Sequence, residues 1–485
     1  MEAQVEITAL RQENAFLKFE IAELKRLIFG GKSERYVPVD PNQLQLPLLD
    51  VEPVKQPEPE QQVIVRRKPS PAKKEGLPVR SPIPAHIPRK TIEIIPEGID
   101  LEKAVKIGEV KTEYLDYKPS KIFVREIVRP KYKLTDETIV IAALPCQPIP
   151  KSNVGAGLLA HILVNKYADH LPLYRQRKQF LREGVDIAES TINDWVHKSL
   201  DNLVPLYDLL ISGVKQSNYI QADETPMPVL SQDKPGSTHK GYFWAYYSPI
   251  EKVHCFDYNK SRGREGPDAF LSGFKGYLQS DGYAGYDHFQ SKDITLTACL
   301  AHARRYFEHA LDQDKERADY VLGQMRKLYA IERKAREQNM DAGQRLALRQ
   351  EQSVPVMEEL GSWLKEQLNH ILPKSAIGKA IAYTLGLWDR LCRYTTNGIL
   401  EIDNNLVENK IRPVALGRKN YLFAGSHEAA QRSAMIYSFF ATCQMHGVNP
   451  EEWLTDALAK INDYNIQNLA ELLPQNWKNA KSIQA

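Results

Sequence analysis

The first thirty residues carry apolar side chains at two heptad positions, interrupted by one asparagine. Position a holds Ile7, Asn14, Ile21 and Ile28, and position d holds Leu10, Leu17 and Leu24. Isoleucine at a with leucine at d favours a parallel two-stranded coiled coil, and one asparagine at a fixes its register. The pattern predicts a leucine-zipper-like coiled coil over 1–30, with dimer contacts from Leu10, Asn14, Leu17, Ile21 and Leu24. A helix packed on its own domain is the alternative.

The heptad pattern stops after Gly30 and Gly31. Thirteen prolines between Pro38 and Pro96 exclude a regular helix there, so the sequence predicts an extended linker over 31–90. The linker is also basic, and such a tract either contacts phosphates or is simply solvated.

Two further segments precede the main domain. Residues 91–150 contain β-like stretches at 91–95 and 122–128, which predict a small β-rich module. Residues 151–212 read as helices. A helix over 172–181, a turn, and a helix capped by Ser190 and Thr191 form a helix-turn-helix pattern. The second helix of such a pair can lie in a DNA groove, although most such pairs are only packed helices.

Strand and turn patterns alternate from residue 217 onwards. They predict strands at 219–223, 241–248, 252–258 and 276–280, with a helix at 267–274. Residues from 298 to about 395 have a helical pattern almost throughout, and a further helix covers 402–416. The remainder, 426–485, reads as two or three short helices forming a C-terminal region.

Three acidic residues occupy distinctive places in this pattern. Asp223 ends the first of these strands, Asp281 follows the fourth, and Glu408 lies on the later helix. Three carboxylates from such elements can hold two divalent metal ions for phosphoryl transfer on nucleic acid. The sequence therefore predicts a multidomain α/β protein. Its RNase H-like catalytic core (213–425), a mixed sheet with flanking helices, is interrupted by an all-helical insertion at about 298–395. A coiled coil and a helix-turn-helix region precede the core.

Two other acids compete for these places. Glu224 adjoins Asp223, but side chains alternate along a strand, so only one of the two can face the metals. Asp403 competes with Glu408, and its position before Asn404 and Asn405 favours a helix N-cap role instead.

Composition adds little about partners. The net charge is only +3, and 42% hydrophobic residues describe an ordinary soluble chain. Five scattered cysteines without a Cys-x-x-Cys pair fit reduced thiols in the cytoplasm. No signal peptide and no run of about 18 apolar residues is visible, so no membrane span is expected.

Three motifs carry a resemblance to a known family. They are Asp223-Glu224-Thr225-Pro226, Asp281-Gly282-Tyr283-Ala284-Gly285-Tyr286, and Asp403-Asn404-Asn405-x-x-Glu408-x-x-Ile411-Arg412-Pro413. With the blocks at 170–176, 417–426 and 447–450, they resemble the large DDE transposase of the insertion sequence sixty-six family. The resemblance covers nearly the whole chain.

The resemblance implies Asp223, Asp281 and Glu408 as catalytic and metal-binding acids, with Mg²⁺ as cofactor and Mn²⁺ as a substitute. It implies cleavage at transposon ends that frees a 3′-OH, followed by strand transfer into target DNA. The expected partners are end and target DNA, a second or further copies of the chain, and accessory proteins encoded by the same element. The expected location is the bacterial cytoplasm, with nucleoid association on DNA. Candidate DNA contacts are Lys410, Arg412, Arg418, Lys419, Arg304 and Arg305, with solvated helix faces as the alternative.

One departure from the family concerns zinc. The family usually carries a cysteine-rich module before the helix-turn-helix, but residues 91–150 hold only Cys146. A four-ligand site cannot be built from that, so zinc is not expected. Cys299 and His302 form a Cys-x-x-His element that resembles the one opening the family's helical insertion. No second pair lies nearby, which favours a packing or active-site-supporting role over a zinc site.

Two rival functions remain. One is a catalytically inactive or repurposed dimeric DNA-binding protein, and the other is a hydrolytic RNase H-like nuclease that cuts without joining. Mg²⁺-dependent nicking separates both enzymes from the binder, and a strand-transfer assay separates the transposase from the nuclease.

Overall fold

The computed structural model describes residues 122–124, 131–133, 139–141, 146–231, 234, 236–291 and 293–477. The predicted coiled coil, the linker and the stretch 91–95 lie outside these residues. Of the stretch 122–128, residues 122–124 are described, and they adopt no regular secondary structure. Strands β1 (Lys131–Lys133) and β2 (Ile139–Ile141) form a short antiparallel pair instead.

Four helices come before the main sheet: α1 (Ala156–Tyr167), α2 (Leu173–Arg182), α3 (Glu189–Asn202) and α4 (Val204–Gln216). Helices α2 and α3 are the predicted helix-turn-helix pair, and Gly184 in the turn between them has φ +85°, a conformation that suits glycine. The predicted cap is wrong. Helix α3 begins at Glu189, and Ser190 and Thr191 lie inside its first turn. The negative Glu189 carboxylate stabilises this end of the helix, because the helix dipole is positive there.

The main sheet has five strands in the order β5-β4-β3-β6-β7. They are β3 (Tyr219–Leu230), β4 (Thr238–Ser248), β5 (Val253–Asn259), β6 (Gly276–Ser280) and β7 (Ile294–Ala298), with α5 (Glu265–Phe270) between β5 and β6. Strand β4 runs antiparallel to both β3 and β5, whereas β6 runs parallel to β3 and β7 parallel to β6. The predicted strand pair at 241–258 and the strand before Asp281 are confirmed.

Strand β3 does not end at Asp223 as predicted but continues to Leu230. Pro226 and Pro228 suggested a break, because proline cannot donate to a ladder. On the edge away from β4, however, Ala424 N–H donates to the Pro228 carbonyl and its own carbonyl accepts from Leu230 N–H. Both prolines therefore place their missing donor on this edge, so the ladder with β4 is unaffected.

The predicted helical block follows β7. It comprises α6 (Leu300–Ala310), α7 (Lys315–Glu337), α8 (Ala342–Leu348), a π-helical turn (Arg349–Ser353), α9 (Val354–Leu368), α10 (Ala376–Gly386) and α11 (Trp388–Cys392). These helices share a hydrophobic core of their own that reaches the sheet at Tyr219 and Ala298.

A buried ion pair joins this block to the segment that leads back to the sheet. Arg349 Nε and Nη2 donate to the two carboxylate oxygens of Glu332, each at 2.7 Å. The same guanidinium donates to the carbonyls of Tyr394, Asn397 and Leu400 at 2.8–3.0 Å. One side chain thus fixes the chain just before the helix that carries Glu408.

Three α-helices follow: α12 (Asn405–Tyr421), α13 (His427–Met445) and α14 (Pro450–Lys460). Two 3₁₀ helices, Ile461–Asp463 and Ile466–Leu472, and a helical turn at 474–477 come after them. The prediction of only short helices here is wrong, because α13 is a single helix of 19 residues. No helix in the described ranges has the length and apolar character to cross a membrane.

Helix α13 is buried against the edge strand β5. Three backbone N–H groups on the outer edge of β5 donate to α13 side chains, in the pairs His254–Thr442 (3.2 Å), Phe256–Ser438 (2.7 Å) and Tyr258–Gln431 (3.1 Å). These bonds satisfy donors that an open edge would leave exposed, and they make α13 part of the same core as the sheet and helices α1–α4.

Candidate active site

The pairing of β3 with β6 brings two of the three predicted acids to the same level of the sheet. Tyr219 lies opposite Tyr277, and Gln221 lies opposite Gln279. Asp223 and Asp281 each follow two residues after the last of these pairs. Since the strands are parallel, both carboxylates are carried to the same end of the sheet.

Helix α12 brings the third acid to this end, with Glu408 in its first turn. Burial is the main cause that raises the pKa of Asp223, and the negative charges of Glu224, Asp281 and Glu408 add to it. Against a hydrogen bond from the Glu224 N–H, the result is a pKa of about 8. The carboxylates are therefore close enough to repel one another.

Glu224, which the strand alternation set aside, belongs to the same acidic cluster. Its carboxylate is buried, and Oε1 accepts from Arg262 Nε at 2.8 Å and Nη2 at 2.5 Å. Arg262 also lies 4.2 Å above the ring of Tyr283. Burial raises the pKa of Glu224, while Arg262 lowers it. The alternation of side chains located the strand correctly, but it did not predict that Glu224, whose charge Arg262 neutralises, belongs to the site.

Asp403 lies at the start of α12, as predicted, but one residue before the N-cap position. The N-cap is Asn404, and Asp403 Oδ1 accepts the N–H of Asn405, the first helical residue, at 3.1 Å. Its other oxygen accepts from Tyr329 OH at 2.9 Å. Both oxygens are thus used in holding the helix start.

A buried glutamine network, which sequence reasoning missed, connects the three elements. Gln221 Nε2 donates to Gln279 Oε1 at 2.8 Å and to the Asp403 carbonyl at 2.9 Å. Gln279 Nε2 donates to the Glu401 carbonyl at 2.9 Å. Tyr219 OH also donates to Gln279 Oε1, at 2.5 Å. Strands β3 and β6 are thereby bonded to the segment that starts α12.

The signal for this network was present in the chain. Each glutamine stands two residues before an aspartate, giving Gln221-x-Asp223 and Gln279-x-Asp281. Residues two apart on a strand share a face, so a repeated Gln-x-Asp on paired strands indicates side chains that meet.

Two cationic or imidazole groups surround Glu408. Arg305 Nη2 donates to Oε2 at 2.6 Å, and His302 Nε2 lies 3.6 Å from Oε1. Arg305 was expected to contact DNA, but here it neutralises the third acid. Arg304, its neighbour on α6, pairs with Glu308 at 3.0 Å.

The basic residues of α12 divide into two kinds. Arg418 donates to Thr225 Oγ1 at 2.9 Å and to the Pro226 carbonyl, and so holds the end of α12 on β3. Lys410 donates to a side chain of α13 at 2.8 Å. Arg412 and Lys419 are exposed. Of the four, these last two are best placed to meet phosphates.

The raised pKa of Asp223 leads to a stability prediction. Its folded pKa of about 8 lies above the ordinary value of 3.8 for an aspartate, so its contribution to stability is complete below pH ~4 and is lost as pH rises towards ~8. Without divalent metal at pH 7.5, Asp223→Asn should raise the free energy of unfolding by about 1–3 kcal/mol and flatten its dependence on pH in this window. Thermal melts in chelator check this, with exposed Asp312→Asn as the control. An unchanged or lowered midpoint in Asp223→Asn would contradict it.

Comparisons with known proteins agree along the chain. The family model described as "Transposase IS66 family" matches residues 151–432, "Transposase C of IS166 homeodomain" matches 17–92, and "IS66 C-terminal element" matches 438–475. No solved structure matches the chain.

Three proteins of Sinorhizobium fredii (strain NBRC 101917 / NGR234) are similar to this chain. The uncharacterized protein y4jD is 33% identical, covering 95% of this chain and 94% of its own length. The uncharacterized protein y4hP is 31% identical, with coverages of 96% and 89%. The uncharacterized protein y4qI is 35% identical, with coverages of 83% and 79%.

The mixed five-stranded sheet and its acidic cluster define an α/β protein with a carboxylate-rich site. Since the main family model covers more than half of the chain, the chain belongs to the IS66 transposase family. Membership indicates a transposase and implies DNA as its partner.

Proposed function

We propose that this protein is a DDE transposase that cleaves DNA at transposon ends and joins the freed 3′-OH to target DNA. Asp223, Asp281 and Glu408 are its catalytic acids. The observation that carries the proposal is the clustering of these acids from β3, β6 and α12, expressed in the raised pKa of Asp223.

The sheet supports an RNase H-like assignment for the core. Three antiparallel strands followed by two parallel ones, with the first strand at the centre, place the acids of β3 and β6 side by side. The helical block enters after β7, and its buried contacts return the chain to α12. It is therefore proposed as an insertion within one catalytic domain.

The acids fit divalent metal ions. Carboxylate oxygens are the ligands that Mg²⁺ prefers, and mutual repulsion at Asp223 is what a bound cation would relieve. When bound, two Mg²⁺ ions would stabilise charge on the phosphate and lower the pKa of the attacking water or 3′-OH. Asp223 would bind as the carboxylate, and Mn²⁺ would substitute for Mg²⁺.

The remaining roles are also proposals. Exposed Arg412 and Lys419 would bind DNA phosphates beside Glu408, which positions DNA without reading sequence. Helices α2 and α3 would bind end DNA. The N-terminal heptads would support a homodimer or higher oligomer, and proteins encoded by the same element are candidate helpers.

Cleavage of labelled end DNA tests the proposal. Wild-type protein with Mg²⁺ should release a 3′-OH at the transposon end, and Glu408→Gln should not. DNA binding without cleavage in Mg²⁺ or Mn²⁺, with neighbouring proteins added, would favour the inactive binder. Cleavage without joining to a target plasmid would favour the nuclease.

The glutamine network gives a further prediction. Gln279→Leu removes the bonds to Gln221 and to the Glu401 carbonyl, so the acids should lose their alignment. We expect cleavage to fall by about 10- to 100-fold with DNA binding unchanged. Gln324→Leu, a change of another buried glutamine that donates to Tyr320 and Glu359 in the helical block, is the matched control. Equal cleavage by both variants would show that the network does not position the acids.

A further inference from the structure

Three side chains of different ligand chemistry converge beside the acidic cluster. A thiol sulfur of Cys299, a ring nitrogen of His302 and a carboxylate oxygen of Glu408 all lie within 4.8 Å of one another. Cys299 is the N-cap residue of α6 and His302 its third helical residue, so both project from the start of that helix. Helix α12 supplies Glu408 from the opposite side.

One of the separations between these ligand atoms matches that in a metal coordination shell. Ligands about 2.0–2.3 Å from a tetrahedral ion lie about 3.3–3.6 Å from one another, and His302 Nε2 and Glu408 Oε1 are 3.6 Å apart. Glu408 Oε1 is buried and makes no hydrogen bond to any residue that the structure describes. Glu408 Oε1 is therefore available to bind an ion.

The groups around these three side chains suit such a site. Cys299 Sγ accepts the Asn404 N–H at 3.4 Å, so an outer-shell donor already orients this sulfur. Arg305 Nη2 holds the other Glu408 oxygen at 2.6 Å, which orients the carboxylate as outer-shell partners of metal ligands do. Arg305 Nη1 lies 3.2 Å from His302 Nε2, and ion binding would replace that one contact.

Charge and ligand type decide which ion fits. A thiolate and a carboxylate cancel the two charges of a divalent ion, so the nearby Arg305 cation is tolerated. Sulfur and imidazole ligands favour Zn²⁺ and its neighbours in the first transition row, whereas Mg²⁺ requires oxygen ligands. Three protein ligands leave a fourth position open for water.

We propose that Cys299, His302 and Glu408 form a site for one Zn²⁺-class ion, distinct in chemistry from the Mg²⁺ acids although it shares Glu408 with them. Zinc was not expected from the sequence, because residues 91–150 lack the cysteines and no second ligand pair follows Cys299 and His302. The proposed site instead takes its third ligand, Glu408, from another helix. A bound ion would cross-link α6 to α12 across the helical block. Although Glu408 is common to both proposals, the test of this site does not depend on the proposed strand cleavage.

Cobalt(II) titration of full-length, reduced, chelator-stripped protein without DNA tests this site. The expected result is one equivalent of thiolate-bound Co²⁺ per chain, measured by a thiolate-to-cobalt charge-transfer band and the visible bands of a tetrahedral ion, both displaced by Zn²⁺. Cys299→Ser should abolish the charge-transfer band, and His302→Asn should weaken Co²⁺ binding by at least about tenfold. Circular dichroism confirms that each variant is folded.

Two control variants separate this site from others. Cys392→Ser, on α11, should retain the band, as should Asp223→Asn, which is expected to lose Mg²⁺-dependent cleavage. The proposal fails if wild-type protein shows no thiolate-to-cobalt band, or if the band persists in Cys299→Ser. Because the readout is spectroscopic, either outcome is independent of whether the protein cleaves DNA.

Discussion

Asp223→Asn and Asp281→Asn should each reduce Mg²⁺-dependent cleavage of transposon-end DNA by at least about 10³-fold, a loss of about 4 kcal/mol of transition-state stabilisation. Removal of either carboxylate takes a ligand from the ions that would stabilise charge on the reacting phosphate. DNA affinity should not weaken, because the acids repel the phosphate backbone rather than bind it. Gel-shift and cleavage assays on the same end fragment measure both quantities.

Matched acid variants make this result specific. Asp257→Asn alters another half-buried aspartate of the sheet, which accepts a hydrogen bond from Gln431 at 3.3 Å, and it should retain cleavage. Glu408→Gln should be as inactive as the aspartate variants, whereas Asp403→Asn should keep more activity, because Asp403 only holds the start of α12. Full activity in Glu408→Gln together with loss in Asp403→Asn would assign the third acid to Asp403.

The largest stability effect is expected at the buried pair of the helical block. Arg349→Met leaves Glu332, whose side chain is fully buried, with only Arg345 as a cationic partner at 3.2 Å. It also removes the Arg349 hydrogen bonds to three carbonyls before α12. Breaking one side of a buried pair costs about 3–5 kcal/mol, so denaturant unfolding should show a loss of this size.

The double variant Arg349→Met/Glu332→Leu is the control for that loss. Removing both charges should recover a large part of the stability, since a buried ion pair often contributes little over apolar side chains. Burial alone would raise the pKa of Glu332, but Arg349 and Arg345 together leave it lowered. The pair therefore stabilises the fold above the unfolded pKa of Glu332 and is lost as pH falls through the folded one. If Arg349→Met unfolds at the wild-type denaturant concentration, the pair does not hold the block to α12.

Much of the core could be predicted because its signals are local. Alternation located β4, β5 and β6, helical periodicity located the block from α6 to α11, and the acid at the end of β6 marked the site. The length of β3 could not be read locally, because the pairing of Pro228 and Leu230 with Ala424 joins residues far apart in sequence.

The contacts of the site were also beyond sequence reasoning. Arg305 was predicted to bind DNA phosphate, but in the fold it donates to Glu408. Arg418 was predicted to do the same, but it donates to Thr225 and to the Pro226 carbonyl. A charged residue on a helix is predicted to be exposed, but the residue with which it forms an ion pair or hydrogen bond depends on tertiary packing. The same holds for Cys299 and His302, whose third companion, Glu408, lies on a different helix.

Strand transfer is tested most directly with wild-type protein, a pre-cleaved transposon-end oligonucleotide carrying a 3′-OH, and a supercoiled target plasmid. We expect joined product that requires Mg²⁺ or Mn²⁺, disappears when the 3′ end lacks its hydroxyl, and is absent with Asp223→Asn. If end DNA is bound but no joined product forms with either ion, even with the element's neighbouring proteins present, the assignment of Asp223, Asp281 and Glu408 as a strand-transfer centre is contradicted.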